Sequence, residues 1–145
     1  MLEYHCVKDM DLEQVYHVYS GAQGMDAVEY LYDFFRLPGS TCLVWELDGV
    51  YLSILRLEPY SDGYLLTGLE TAPNARRKGH GLQLMEAAQQ YLKGIGANKV
   101  YAHIKKNNLA SLKLHEKCGF CVISDFGVLL DGTVSQQYVT VCSNI

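Results

Sequence analysis

The chain has 145 residues, 49% of them hydrophobic, which suits one globular domain with a buried core and excludes a disordered chain. No stretch approaches the about 18 uninterrupted apolar residues of a membrane span, and Met1 to Met10 carries Glu3, His5, Lys8 and Asp9 instead of a signal-peptide core. The net charge of -4 hides a division: residues 1–75 hold twelve acidic residues against three basic, and residues 76–145 hold nine basic against four acidic. A cytoplasmic location with no membrane partner is expected. The asymmetry points the second half toward an anionic ligand and the first toward a cation, and the acidic total argues against nucleic acid.

In chain order, Leu2 to Val7 reads as a strand, and Asp11-x-x-Gln14 opens a helix to Tyr19 with Leu12, Val15, Tyr16 and Tyr19 on one face. Asp26 and Glu29 announce a second helix, with Val28, Leu31, Tyr32 and Phe35 apolar, which stops at Pro38-Gly39. Thr41 to Leu47, Val50 to Leu57 and Leu65 to Thr71 follow as strands, joined at Asp48-Gly49 and near Asp62-Gly63 in an antiparallel meander. After Gly81, apolar residues at Leu84, Met85, Ala88, Tyr91 and Leu92 mark a helix with one face on a core, ended by Gly94 and Gly96.

Lys99 to Ile104 is the next strand, and a strand, helix, strand unit of this kind implies a parallel pair with a right-handed crossover. Asn107 to Lys117 reads as a helix with Leu109, Leu112, Leu114 and Cys118 available for packing. Gly119-Phe120 begins a strand to about Leu130, and Asp131-Gly132 turns the chain into a last strand from Ser135 to Cys142. The sum is one α/β domain over residues 1–145, with a mixed, mostly antiparallel sheet and about four helices.

Five cysteines without regular spacing do not form a secreted disulfide framework; Cys6, Cys42 and Cys142 are expected as small buried hydrophobes. Cys118 and Cys121 form a lone C-x-x-C, and His5, His17, His80 and His103 show no ligand spacing, so no metal is expected.

The informative stretch is Arg76-Arg77-Lys78-Gly79-His80-Gly81, placed where a strand feeds a helix. The first turn of a helix has N–H groups without intrahelical partners, and its dipole adds partial positive charge. An anionic phosphate fits such a place. Gly79 and Gly81 allow close backbone approach, and Arg76, Arg77 and Lys78 supply charge.

Thr71 to Gly81 resembles the acetyl-CoA-binding motif of the GNAT superfamily of N-acetyltransferases: Arg or Gln, two residues, Gly, one residue, Gly or Ala. Asn108 to Phe120, with Ser111 three residues after Asn108, Leu114-His115 and a closing Gly119-Phe120, resembles the family's later helix and strand. The resemblance implies a GNAT-like sheet with a central, splayed parallel pair. It also implies acetyl-CoA as co-substrate, with the backbone of Leu69 and Thr71 along the pantetheine arm and Arg76 to Gly81, including His80, on the pyrophosphate. Asn108 would bond the pantetheine, and Ser111 would face the adenine-phosphate end or pack. A bulge at Gly68 or near Ala72 would open the strand pair.

The implied chemistry is attack of a neutral amine on the thioester in a ternary complex. Glu70 is the candidate general base, the Thr71 N–H the candidate polarising donor, and His115, where the family most often has tyrosine, the candidate acid. An acid role for His115 requires a raised pKa or a rate that falls as pH climbs. The acceptor, a small-molecule or peptide amine and cationic before reaction, would meet Ser20 to Met25 and Gly127 to Val134, with Tyr19, Tyr32 and Phe34 as wall and Asp26, Glu29 and Asp33 as cation partners. The alternative is an acyl-CoA-binding sensor of the same fold without turnover. A monomer or a homodimer fits either function.

Overall fold

The computed structural model describes residues 2–7, 11–19, 40–129 and 131–145, the first of these by backbone alone. The second helix expected from Asp26 and the loop Ser20 to Met25 lie outside the described residues. The strands are β1 (Leu2–Val7), β2 (Thr41–Leu47), β3 (Val50–Tyr60), β4 (Gly63–Thr71), β5 (Lys99–Lys105), β6 (Cys121–Ser124), β7 (Gly127–Val128), β8 (Val134–Ser135) and β9 (Tyr138–Asn144). The helices are α1 (Leu12–Tyr19), α2 (His80–Gly94) and α3 (Leu109–Lys117), with one 3₁₀ turn at Pro73–Ala75.

The main sheet runs β1-β2-β3-β4-β5-β9-β6, and β7 pairs β8 apart from it. The pairs β1–β2, β2–β3, β5–β9 and β6–β9 are antiparallel, and β4–β5 is parallel. This is the mixed, mostly antiparallel sheet expected from the sequence. The parallel ladder joins Tyr64 to Val100 and Leu65 to Tyr101 and extends no further along the described residues, although β4 continues to Thr71 and β5 to Lys105.

The chain divides into two compact units, Met1–Pro59 with Leu66–Ala88 and Tyr60–Leu65 with Gln89–Ile145. In the first unit, Val15, Val18 and Tyr19 of α1 form a core with Cys42, Val44, Tyr51, Ile54, Ala72 and Ala75. Asp11 caps α1, its Oδ1 accepting from the N–H groups of Glu13 and Gln14 at 3.1 and 3.4 Å. Gln14 bonds back to the cap through Nε2, which donates to Asp11 Oδ2 at 3.3 Å, while the Asp11 N–H goes to the Tyr51 hydroxyl. Gln14 Oε1 accepts from the Tyr51 N–H and its Nε2 donates to the Gly49 carbonyl, both at 2.8 Å, which ties α1 to the β2–β3 hairpin. That hairpin turns on Asp48 (φ 51°) and Gly49 (φ 79°), the paired left-handed residues of a type I′ turn. Leu84, Met85 and Ala88 of α2 are fully buried; a buried Leu or Met of this kind stabilises by about 1.5–3 kcal/mol.

In the second unit, Leu92, Val100, Ala102, Ile104, Phe120, Val139 and Val141 are buried. Gln89 Nε2 donates to the Cys118 carbonyl at 2.8 Å and to Ser143 Oγ at 3.2 Å, tying the end of α2 to the end of α3 and to β9.

The structure corrects several local expectations. β3 runs past Leu57 to Tyr60, and the left-handed residue of the following turn is Ser61 (φ 51°). Gly63 lies inside β4 for a different reason: a Cβ there would stand 2.2 Å from the Lys99 carbonyl oxygen. The strand expected to run from Phe120 to Leu130 breaks at Asp125 and Phe126 into β6 and β7. Leu109, expected to pack, is 65% exposed because it is the first residue of α3, beyond the buried face. Cys142 is half-buried, whereas Cys42 is buried as expected. Among the described residues no helix is long and apolar enough to cross a membrane.

Candidate active site

In the first unit the site is built on the last residues of β4. Gly68 has φ 64° in mid-strand, a backbone state open chiefly to glycine, and the Tyr19 hydroxyl donates to its carbonyl. Tyr19, expected in the acceptor wall, is instead a buried anchor for this irregularity. On the neighbouring strand the β2–β3 register passes from Trp45↔Ser53 to Glu46↔Tyr51, leaving Leu52 as the extra residue of a bulge. The Leu52 carbonyl accepts from the Ala72 N–H at 2.8 Å. Ser53, fully buried, donates to the Glu70 carbonyl at 3.0 Å and lies 3.1 Å from Thr71 Oγ1.

Leu69, Glu70 and Thr71 are thus half-buried on a strand end pinned from α1 and β3. Ser53 escaped the sequence reading as a site residue, and Tyr19 was read as acceptor wall, not as the anchor of Gly68. The lone serine within the otherwise apolar run Val50 to Leu55 was the available signal, since a polar residue among buried aliphatics needs a specific partner.

Glu70 pairs with Arg76, Oε1 to Nη2 at 3.3 Å, and Arg76 Nε donates to the Thr71 carbonyl at 3.3 Å. Burial raises the pKa of Glu70 above its ordinary value, and the Arg76 charge opposes that rise, helped by the Thr71 backbone. Two residues assigned to different tasks, a base and a phosphate ligand, therefore share one ion pair here.

Arg76, Arg77, Lys78 and Gly79 are exposed. Arg77 (φ 65°) and Gly79 (φ 82°) both take left-handed backbone, which turns the chain into α2. A Cβ at Gly79 would meet nothing within 4 Å, so the position is open on its outer side. The Gly79 carbonyl accepts the first helical bond, from the Gln83 N–H at 3.1 Å, and the first turn holds no acidic side chain. His80 and Gly81 belong to that turn, so the helix begins two residues earlier than expected. The His80 and Trp45 ring centroids lie 5.8 Å apart, and burial followed by the Lys78 charge lowers the His80 pKa, which favours its neutral form.

In the second unit Asn108 caps α3, its Oδ1 accepting from the Ser111 N–H at 3.1 Å. One turn on, His115 Nδ1 stands 2.7 Å from the Ser111 carbonyl and 3.3 Å from Ser111 Oγ. A carbonyl only accepts, so Nδ1 carries the proton. The ring is 4% exposed and packs edge-on against Phe120 at 5.0 Å. Burial lowers its pKa, outweighing the bond to Ser111. The acid role asks for an imidazolium with a proton to give, and these surroundings favour the neutral ring, whose single N–H faces Ser111.

Residues 10–120 match the family model of the Acetyltransferase (GNAT) family. The chain belongs to the GNAT family. It is 31% identical over 97 residues to an uncharacterised N-acetyltransferase, YobR, of Bacillus subtilis, a match covering 66% of this chain and 39% of that protein. It is 32% identical over 80 residues to the chloroplastic GCN5-related N-acetyltransferase 6 of Arabidopsis thaliana, covering 54% and 27%. The GNAT chain thus spans well under half the length of these curated relatives. Its fold is that of the ribosomal-protein-S18-alanine N-acetyltransferase of Escherichia coli, with a TM-score of 0.80 at 17% identity over 100% of this chain and 94% of that one. An acetyltransferase of Bacillus subtilis, solved in complex with CoA, superposes with a TM-score of 0.76 at 17% identity over 100% and 99%. Among the described residues of this GNAT chain, no group of three or more His, Cys, Asp or Glu could hold a metal ion.

Proposed function

We propose that residues 1–145 act as one acetyl-CoA-dependent N-acetyltransferase domain that passes the acetyl group directly to a primary amine. The observation that carries this is the cationic, glycine-turned entry into α2, which follows directly on a pinned strand end bearing a carboxylate. The N–H groups of the first turn would take the pyrophosphate, with Arg76, Arg77 and Lys78 around it. The backbone of Leu69 and Thr71 would take the pantetheine arm, and Asn108 and Ser111 contribute as the family resemblance implies. The CoA complex of the Bacillus subtilis relative supports the choice of cofactor.

Glu70 removes the proton of an ammonium acceptor, directly or through water. The acidic surplus of residues 1–75 favours such a cation, and the reaction belongs in the cytoplasm. His115 holds α3 against Phe120 by packing. A non-catalytic acyl-CoA sensor is favoured by one observation, the Arg76–Glu70 ion pair, because a paired carboxylate is a weaker base. Thiol release from acetyl-CoA across a panel of amines separates the two. Turnover with a cationic amine, slowed by salt, supports the transferase; binding of acetyl-CoA without release for any amine rejects it.

A further inference from the structure

Resting on the cofactor assignment above, we propose that Arg76 exchanges anions: it holds Glu70 in the free chain and turns to the phosphates when acetyl-CoA binds, releasing Glu70 to act as base. Cofactor binding would then precede, and enable, deprotonation of the acceptor.

The geometry of the pair is that of a contact easily given up. Both bonds of the guanidinium, to Glu70 Oε1 and to the Thr71 carbonyl, measure 3.3 Å, beyond the about 2.7–2.9 Å of a strong charge-assisted bond. The side chains of Arg76 and Glu70 are 44% and 27% exposed, so water screens their attraction. A pyrophosphate at the first turn of α2, which begins four residues along the chain from Arg76, offers more charge and a bidentate fit. The exchange also frees the Thr71 carbonyl, one of the backbone groups assigned to the pantetheine arm.

Among the described residues Arg76 is the charged group that acts on Glu70; β3 contributes the neutral Ser53 hydroxyl, and α1 the Tyr19 phenol, which is given to Gly68. Once Arg76 leaves, burial acts on the carboxylate with only the Thr71 backbone opposing it, and Glu70 becomes more basic. By linkage, binding then takes up protons, and affinity for acetyl-CoA rises as pH falls through the mildly acidic range.

The test is calorimetric titration of acetyl-CoA, without acceptor, in two buffers of different ionisation enthalpy at mildly acidic pH. The wild type should take up a fraction of a proton that Glu70→Gln does not. Glu70→Gln, having lost the competing anion, should bind about two- to fivefold more tightly. Arg76→Gln should bind more weakly and also show no Glu70-dependent uptake. Equal uptake and equal affinity in wild type and Glu70→Gln overturn the exchange while leaving the cofactor assignment standing. Failure of the wild type to bind acetyl-CoA overturns that assignment and the exchange with it.

Discussion

Glu70 and His115 were set the complementary halves of one proton economy, and their surroundings differ in kind. Glu70 lies at a strand end, partly wet, its charge shared with an arginine that the solvent also reaches. His115 is sealed against Phe120, and its one N–H is spent inside its own helix. Burial moves both toward the neutral form, raising the pKa of Glu70 and lowering that of His115. The difference is in what opposes burial. A mobile countercharge can be withdrawn by a ligand, whereas a backbone carbonyl one turn away cannot. Chemistry that depends on a ligand arriving needs the first arrangement.

The largest effect that would test this contrast is on turnover. Glu70→Gln should lower kcat by about 10²- to 10⁴-fold, the range for a lost general base, without weakening acetyl-CoA binding. Amines of low pKa, already neutral, should recover part of the loss. Steady-state thiol release over a series of amines checks both points, and a variant that keeps wild-type kcat would remove Glu70 from the reaction.

Next comes the loop that would draw Arg76 away. Gly79→Val places a branched side chain at φ 82° and on the open side of the turn, so acetyl-CoA affinity should fall about tenfold or more. Arg77→Ala removes one of several charges and should cost about two- to threefold. Fluorescence of Trp45, the chain's one tryptophan and a neighbour of His80, provides the binding signal. Equal losses in the two variants would mean that charge, not close approach, holds the ligand.

The two regions were unequally legible in the sequence. Periodicity and turn residues placed the described strands and helices because each local signal agreed with the global fold, as at Asp48-Gly49 and the Leu84 to Leu92 stripe. The glycine loop was legible because a left-handed turn and a close approach leave few residue choices. The pairing of Arg76 with Glu70 depends on how the 3₁₀ turn folds back, because the two residues stand six apart in the chain. The Ser53 and Tyr19 anchors were hidden for the same reason: 17 residues separate Ser53 from Glu70, and 49 separate Tyr19 from Gly68. The sealing of His115 was equally hidden. Its Ser111 contact is an ordinary helical spacing, but the burial that lowers its pKa comes from tertiary packing.

His115→Phe therefore sharpens the contrast twice. If the histidine only packs, turnover stays within about threefold of wild type with an unchanged pH profile; a loss of about ten- to a hundredfold and a vanished alkaline limb would make it the acid after all.

Stability gives the smaller and more diagnostic reading. A histidine whose folded pKa lies below its unfolded value of about 6.5 binds protons more readily in the unfolded chain, so stability falls as pH drops from about 6.5 toward the folded pKa. His80 and His103 shift in the same direction and form a background common to both proteins. At neutral pH the Phe variant should be less stable by about 1 kcal/mol, for the lost bond to Ser111. On acidification the wild type should lose stability faster, and the gap should close or reverse. Urea midpoints measured at successive pH values read this directly. A constant gap would show that His115 carries no suppressed proton in the folded state, and the sealed half of the comparison would fall.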